Sequence, residues 1–206
     1  MISVENEAGL WVITLNRPEK ANALTKAMLE DLLAAVERAA WSRAAALILT
    51  GAGKVFSAGA DLDAARAGLA TDPVWERLSA QIGGFQGLTI AALNGSLAGG
   101  AMGMALACDL RIAVPEAKFF YPVMRLGFLP QPSDPGRLVE LIGSARAKMI
   151  LMAGAKIGAE EARAWGLIDG IAAPDALMAE ARALAGDALA AKPGHGAAIK
   201  AMFAGR

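Results

Sequence analysis

The sequence is poor in the residues that build disulfides and metal sites. Its 206 residues include one cysteine, Cys108, and one histidine, His195. A single cysteine cannot form an intramolecular disulfide, and a single histidine excludes a histidine-rich metal site. We therefore expect no bound metal. His195 lies between two glycines, so we interpret it as a mobile loop residue rather than a catalytic imidazole.

Net charge and long apolar runs are also lacking. Lysine plus arginine and aspartate plus glutamate both number 20, so the formal net charge is zero. Nucleic-acid binding normally requires a basic excess, because phosphate neutralisation supplies much of the affinity. No run of about 18 uncharged apolar residues indicates a membrane span. The N-terminus carries acids where a secretory signal carries cations, so we expect a cytoplasmic protein with neither nucleic-acid nor membrane partners.

What is present is a chain that is 55% apolar and long enough for one domain with a full hydrophobic core. Strand-like and helix-like segments alternate, and the last part is helical from Pro135 onward. This order predicts an α/β fold with a largely parallel sheet and crossover helices. The predicted strands cover residues 2–5, 10–15, 47–50, 90–93, 110–113 and 118–121, and the predicted helices begin after Thr25, at Pro73 and at Gly99.

Two glycine-containing turns could bring a ligand close to the main chain. The first, residues 56–62, reads FSAGADL and follows a predicted strand. Gly59 permits a sharp turn there, and Asp61 can cap a helix that begins near Leu62. The alternative interpretation is an ordinary turn before a helix.

The second turn, residues 94–103, reads NGSLAGGAMG and leads from a strand into a helix. A helix N-terminus presents unsatisfied N–H groups and the positive end of a dipole, which suits an anionic oxygen. A close crossing of helix and sheet would require the same small residues. A phosphate loop at residues 51–54, GAGK, is disfavoured, because Lys54 is followed by Val55 and Phe56 stands where a dinucleotide fingerprint needs glycine.

Taken together, the motifs resemble those of the crotonase (enoyl-CoA hydratase/isomerase) family, in order and spacing, along nearly the whole chain. The resemblance implies a crotonase-like spiral of ββα units over residues 1–190. Residues 191–206 would be a short, apparently truncated remnant of the C-terminal helical trimerisation region. It also implies a homotrimer or a dimer of trimers. The motifs are residues 16–18 with 22–24, 56–62, 94–95 with 99–100, 108–113, 126–130, 159–162 and 166–169.

The resemblance also implies an active site and a substrate. The backbone N–H groups of Ala60 and Gly100 would form an oxyanion hole for an acyl-CoA thioester. Coenzyme A would enter as part of the substrate, with no separate cofactor. Its path would be lined, mostly by backbone, by Lys20, Ala21, Ala23, Ala58, Asp61 and Leu62.

The sequence departs from the family where its hydratases carry two glutamates, because Gly103 and Val123 occupy these positions. Neither can transfer a proton, so a hydratase of the standard mechanism is not expected. Weaker candidates are Gln131, where some relatives carry a carboxylate, and Tyr121, which could donate a hydrogen bond or simply pack. Asp134 could be catalytic, although a cap on the following helix is the simpler interpretation.

Three functions therefore remain open. The first is an enzyme that isomerises, weakly hydrates or cleaves an acyl-CoA, as a lyase or an isomerase of fatty acid metabolism. The second is a non-catalytic acyl-CoA-binding protein or scaffold, which the missing glutamates favour. The third is a structural subunit that binds no coenzyme A.

Overall fold

The computed structural model describes residues 1–203 and contains two β-sheets surrounded by helices. Within these residues the strands are β1 Ile2–Glu7, β2 Leu10–Leu15, β3 Ala46–Gly51, β4 Val55–Ser57, β5 Leu88–Leu93, β6 Ser96–Ala98, β7 Leu110–Ala113, β8 Lys118–Phe120, β9 Ile157–Gly158 and β10 Gly170–Ile171. The helices are α1 Lys26–Trp41, α2 Leu62–Arg66, α3 Val74–Gly83, α4 Met102–Leu106, α5 Val123–Leu126, α6 Asp134–Leu151, α7 Ala159–Trp165, α8 Leu177–Leu184, α9 Gly186–Ala190 and α10 His195–Ala201. Short 3-10 helices occupy Pro18–Lys20, Leu69–Thr71 and Gly99–Ala101.

The larger sheet has six strands in the order β1-β2-β3-β5-β7-β10, and the smaller has four in the order β4-β6-β8-β9. Among the strands of residues 1–203, only the pairs β1–β2 and β8–β9 are antiparallel. The remaining neighbours in both sheets run parallel. The predicted α/β class with a largely parallel sheet is confirmed, and the first two predicted strands form an N-terminal hairpin.

The core lies where helices cover the central parallel strands. Ile48 and Ile90, on β3 and β5, are fully buried, as expected for a parallel sheet covered on both faces. Helix α1 buries the apolar face that its sequence predicts, including Met28 and Leu32. Thr25 caps this helix as predicted, because its hydroxyl accepts a hydrogen bond from the N–H of Met28 at 3.3 Å.

Three local predictions differ from the structure. The predicted helix from Gly99 begins as a 3-10 turn before α4, because four of its first five residues are glycine or alanine and no side chain caps it. Helix α6 begins at Asp134 and kinks at Gly143, where φ is 77°. His195 is the first residue of α10 rather than a loop residue. That helix lies in the segment 191–206, of which residues 204–206 are outside the described part.

No helix in residues 1–203 is both long and apolar enough to cross a bilayer. Nor does this part of the chain contain three or more His, Cys, Asp or Glu side chains grouped so that they could hold a metal ion.

Candidate active site

The smaller sheet places the two glycine-containing turns side by side. Strands β4 and β6 are parallel neighbours, with Ser57 paired to Leu97. Both strands end before the turns, and Ala60 and Gly100 directly follow Gly59 and Gly99. The turns themselves touch, because a Cβ built on Gly59 would lie 3.4 Å from the Cα of Gly99. The two residues predicted to form the oxyanion hole are therefore neighbours.

The backbone around Ala60 turns its N–H away from its hydrogen-bonded neighbour. Leu24 donates its N–H to the carbonyl of Gly59 and accepts from the N–H of Asp61, each at 2.8 Å. In this parallel bridge the residue between the two bonded groups, Ala60, presents its own N–H to the opposite side. Within the described residues, this N–H donates no hydrogen bond.

The second donor, Gly100, lies in the first turn of the 3-10 helix after β6. The N–H groups of a first helical turn have no intrahelical acceptor. Over residues 1–203 the N–H of Gly100 has no other acceptor either. Gly99 enters this turn with φ of 57°, and Gly59 enters the first turn with φ of 90°, both in the left-handed region that favours glycine. Each of the two donors thus directly follows a glycine with positive φ.

The residues predicted to line the coenzyme A path are brought together along one strip of backbone. Ala58 donates its N–H to the carbonyl of Ala21 at 3.0 Å, and Leu24 pairs with residues 59 and 61. Segment 20–24 therefore runs along segment 58–61, which places Ala23 beside the first turn. Lys20, Ala58 and Leu62 are exposed, and Ala21, Ala23 and Asp61 are half-buried.

Asp61 caps a helix and also forms an ion pair, and the sequence predicts only the first of these two roles. Its carboxylate caps α2 by accepting from the N–H groups of Asp63 and Ala64, as predicted. It also pairs with the Arg17 guanidinium at 2.8 Å, a contact between residues 44 positions apart. The hydrogen bond from Arg17 is the main reason that the pKa of Asp61 lies below its ordinary value. The ion pair ties segment 17–24 to the first turn.

Two asparagine amides, buried Asn22 and half-buried Asn94, hold residues 51–55, which precede the first turn, and sequence reasoning missed these contacts. Asn22 donates to the carbonyl oxygens of Ala52 and Val55, at 2.9 and 2.7 Å. Asn94 donates to the same Val55 oxygen at 3.3 Å and accepts from the N–H of Gly51. Asn22 has a left-handed φ of 51°, a conformation that asparagine tolerates better than most residues.

Trp75 covers the second donor, which the sequence did not reveal. A Cβ built on Gly100 would lie 3.4 Å from three carbons of the Trp75 ring. The indole N–H donates to the carbonyl of Leu69 at 2.8 Å, so the ring is held in place. Helical spacing predicted Trp75 as part of a helix, but not that it packs on residue 100.

The three weaker candidates meet around one hydroxyl group. Tyr121 is buried and donates its O–H to Oδ2 of Asp134 at 2.9 Å. Its oxygen accepts from the N–H of Gln131 at 3.3 Å, and the Gln131 side chain donates to the carbonyl of Ala70. Val123, at the second family glutamate position, is buried at the start of α5. Tyr121, Gln131 and Asp134 therefore form one hydrogen-bonded cluster, to which Asp134 contributes the carboxylate.

The interpretation of Asp134 as a helix cap is wrong. The residue is the first of α6, and its side chain bonds to Tyr121 instead of to N–H groups of the helix. The carboxylate is fully buried against Gly103, since a Cβ on that glycine would lie 2.8 Å from Oδ1. Burial raises its pKa from 3.8 to about 6, opposed by the Tyr121 hydrogen bond and the Arg137 charge and assisted by the Glu76 charge.

We expect the substitution Asp134→Asn to change how stability depends on pH. Between pH 3.8 and 6 the Asp134 carboxyl group is ionised in the unfolded chain but protonated in the folded protein. Folding therefore takes up a proton, and the free energy of unfolding falls as the pH rises. Above about pH 6 the free energy of unfolding falls no further, because both states have lost the proton. A difference of about two pKa units between the states corresponds to at most about 3 kcal/mol of unfolding free energy. Urea unfolding at pH 5 and pH 8 should therefore show that the Asn variant gains stability relative to the parent at the higher pH. An equal difference between the two proteins at both pH values would contradict the raised pKa of Asp134.

A cavity of about 740 Å³ lies elsewhere, beside α9 and α10. Its lining includes Leu88, His195 and Lys200, and Lys200 donates to Asp109 at 2.8 Å. None of the residues predicted for the active site lines this cavity, so it is separate from the paired donors.

Comparisons with a family model and with individual proteins give the same family description over most of the chain. The family model described as enoyl-CoA hydratase/isomerase matches residues 5–205. A Bacillus subtilis protein described as an enoyl-CoA hydratase/isomerase, YngF, is 40% identical over 193 residues, which are 90% of this chain and 74% of the relative. A Rhodobacter capsulatus protein described as an enoyl-CoA hydratase is 41% identical over 172 residues, or 81% of this chain and 66% of that relative.

The fold is shared with solved structures of similar description. The enoyl-CoA hydratase from Bacillus anthracis superposes with a TM-score of 0.92 at 31% identity, covering 99% of this chain and 82% of that one.

Proposed function

The chain belongs to the enoyl-CoA hydratase/isomerase family, and we propose that it transforms acyl-CoA thioesters by holding an enolate or tetrahedral oxyanion between the N–H groups of Ala60 and Gly100. The observation that supports the proposal is that the turns bearing these two N–H groups touch at Gly59 and Gly99. They follow parallel strands, lie on adjoining turns and have no acceptor within the described residues. Two fixed donors aimed at one point stabilise developing negative charge without reorganisation, and each typically contributes about 10²–10³-fold in rate.

The proposed path for coenzyme A follows the strip formed by segments 20–24 and 58–62. Support comes from the hydrogen bonds that join these segments and from the exposure of Lys20 and Leu62 beside them. The Arg17–Asp61 ion pair keeps the strip next to Ala60. Coenzyme A arrives as part of the thioester, so the proposal includes no separate cofactor.

The reaction class is narrowed by what the two glutamate positions contain. Gly103 has no side chain and Val123 is apolar and buried, so neither activates a water molecule. Double-bond isomerisation and cleavage of a thioester or carbon–carbon bond need an oxyanion site but not that pair of glutamates. These reactions are therefore favoured over efficient hydration. The same two residues also support the second candidate, an acyl-CoA-binding protein without turnover.

A panel of CoA esters separates the two candidates. We expect calorimetric binding of enoyl-, hydroxyacyl- and malonyl-type CoA esters, and chromatography should detect product from at least one of them. Binding of the esters with no product from any would favour the binding protein. An absence of binding would remove both candidates and leave a structural subunit.

We also propose that the chain assembles as a homotrimer or a dimer of trimers. Large apolar side chains are exposed on and near α5 and α6, among them Leu129 at 86% and Met152 at 57%. Exposed apolar side chains that form a contiguous patch often mark an interface between protein chains. Light scattering coupled to size-exclusion chromatography gives the mass of the assembly, and a monomer would contradict the proposal.

A further inference from the structure

We propose that Asp134 is the acid–base group of this site, which moves a proton to and from the carbon beside the thioester carbonyl. We further propose that Gly103 lacks a side chain so that this carboxylate can reach the site. The inference rests on the proposed function, since it needs a thioester held by Ala60 and Gly100.

The first support is the position of the carboxylate relative to the second donor. Gly100 and Gly103 are three residues apart on a continuous helical stretch, so they face the same side, with side-chain positions about 5–6 Å apart. The side-chain position of Gly103 is taken by Asp134, whose Oδ1, Oδ2 and Cγ lie 2.8, 3.3 and 3.4 Å from a Cβ built there. A carboxylate from α6 thus fills the place of a side chain on α4, one turn from Gly100.

The second support is the unequal use of the two carboxylate oxygens. Oδ2 accepts the Tyr121 hydroxyl at 2.9 Å, which fixes the orientation of the group. Oδ1 is buried and has no hydrogen-bond partner among the described residues. The Arg137 guanidinium lies 4.0 Å from Oδ1, beyond hydrogen-bond length. A buried polar atom without a partner is rare in folded proteins and calls for an explanation, of which a catalytic role is one.

The third support is the raised pKa of the Asp134 carboxyl group, which suits proton transfer near neutral pH. Burial raises its pKa to about 6, and acid–base catalysts work best when their pKa lies near the working pH. Tyr121 cannot replace it as the base, because burial and the neighbouring Asp134 charge raise the pKa of its phenol far above neutral. Tyr121 is therefore a positioning residue.

The proton transfer balances without another reactant. Oδ1 of ionised Asp134 takes a proton from the carbon beside the thioester carbonyl, and that C–H bond breaks. Its electron pair moves to the carbonyl oxygen, giving an enolate that accepts from the N–H groups of Ala60 and Gly100. The proton on Asp134 then returns to the same carbon or, in an unsaturated ester, to the carbon two positions further along.

Exchange of hydrogen for deuterium tests the step without knowledge of the natural acyl group. Butanoyl-CoA is incubated with the protein in D₂O, and loss of the proton signal beside the carbonyl is followed by NMR. We expect Asp134→Asn to slow exchange by about 10²–10⁴-fold, with calorimetric binding of butanoyl-CoA nearly unchanged. Asparagine keeps the acceptor for Tyr121, so a merely structural Asp134 would tolerate the change. The exposed Asp175, replaced in the same way, is the matched control and should exchange at the parental rate.

Moving the carboxylate back to α4 provides an independent check. Gly103→Ala alone should slow exchange, because the new Cβ displaces Asp134. The double variant Gly103→Ala with Asp134→Ala should have the parental midpoint of thermal unfolding, but it should not exchange the proton beside the carbonyl for deuterium. Gly103→Glu with Asp134→Ala should regain exchange.

The failures of the two proposals are distinguishable. Parental exchange by Asp134→Asn, or no exchange by a parent protein that binds the ester, overturns the role of Asp134. No binding of butanoyl-CoA, or exchange that is indifferent to loss of the Ala60 N–H, overturns the proposed function itself.

Discussion

Replacement of Ala60 by proline is expected to lower kcat on the best CoA ester by about 10²–10³-fold, because it deletes one of the two N–H donors. The substitution leaves the adjacent backbone bonds in place. Leu24 bonds to the carbonyl of Gly59 and to the N–H of Asp61, and neither bond uses the nitrogen of Ala60. The expected loss is therefore one of turnover and not of fold. Steady-state kinetics gives the ratio, and calorimetry shows whether the ester still binds.

Glycine at position 60 is the matched control, since it keeps the N–H and adds no atom. Ala60→Gly should retain most of the activity that Ala60→Pro loses. A folded proline variant with full activity would remove Ala60 from the oxyanion hole. Thermal unfolding of both variants establishes that the comparison is made between folded proteins.

The largest loss of stability is expected from Gly95→Ala, in the turn between β5 and β6. A Cβ at this position would overlap the carbonyl oxygen of Lys54 and lie 2.7 Å from its carbon and 2.9 Å from the Cα of Val55. These are backbone atoms of the neighbouring segment and cannot rotate away. Overpacking typically costs about 1–3 kcal/mol, and we expect a value at or above the upper end. The midpoint of urea unfolding should fall accordingly.

Gly136, in the first turns of α6, is the control for that substitution. A Cβ there meets nothing within 4 Å, and the residue is exposed. Alanine is preferred over glycine in a helix by about 0.5–1 kcal/mol, so Gly136→Ala should raise the midpoint slightly. Equal effects of the two substitutions would show that Gly95 is not confined by the strand beside it.

Most of the fold could be predicted because its signals are local. The alternation of strands and helices, the hairpin at residues 2–15 and the Thr25 cap each depend on residues close together in the chain. The family resemblance supplied the pairing of Ala60 with Gly100, and the contact between the turns at Gly59 and Gly99 supports it. The ends of helices were predicted less closely. Helix α6 was predicted to begin at Pro135, but it begins at Asp134.

The parts of the site that sequence could not predict are contacts between distant segments. Arg17 and Asp61 are 44 positions apart, and Trp75 reaches Gly100 from another helix. The position of Asp134 against Gly103 has no local signal either, since a carboxylate next to proline at a helix start reads as a cap. The absence of a glutamate at residue 103 was visible, but the side chain that fills its space was not.

The carbonyl oxygen of Val55 accepts hydrogen bonds from both Asn22 and Asn94, and this sharing has a practical consequence for protein engineering. This one atom at the start of β4 joins the segment 17–24, through Asn22, to the turn between β5 and β6, through Asn94, so the spacing of these segments is a joint property. A loop grafted alone from a relative would arrive without its anchors, and the gap between the two donors would no longer be set. Loop exchange in this scaffold should therefore transplant all three segments together with both asparagines.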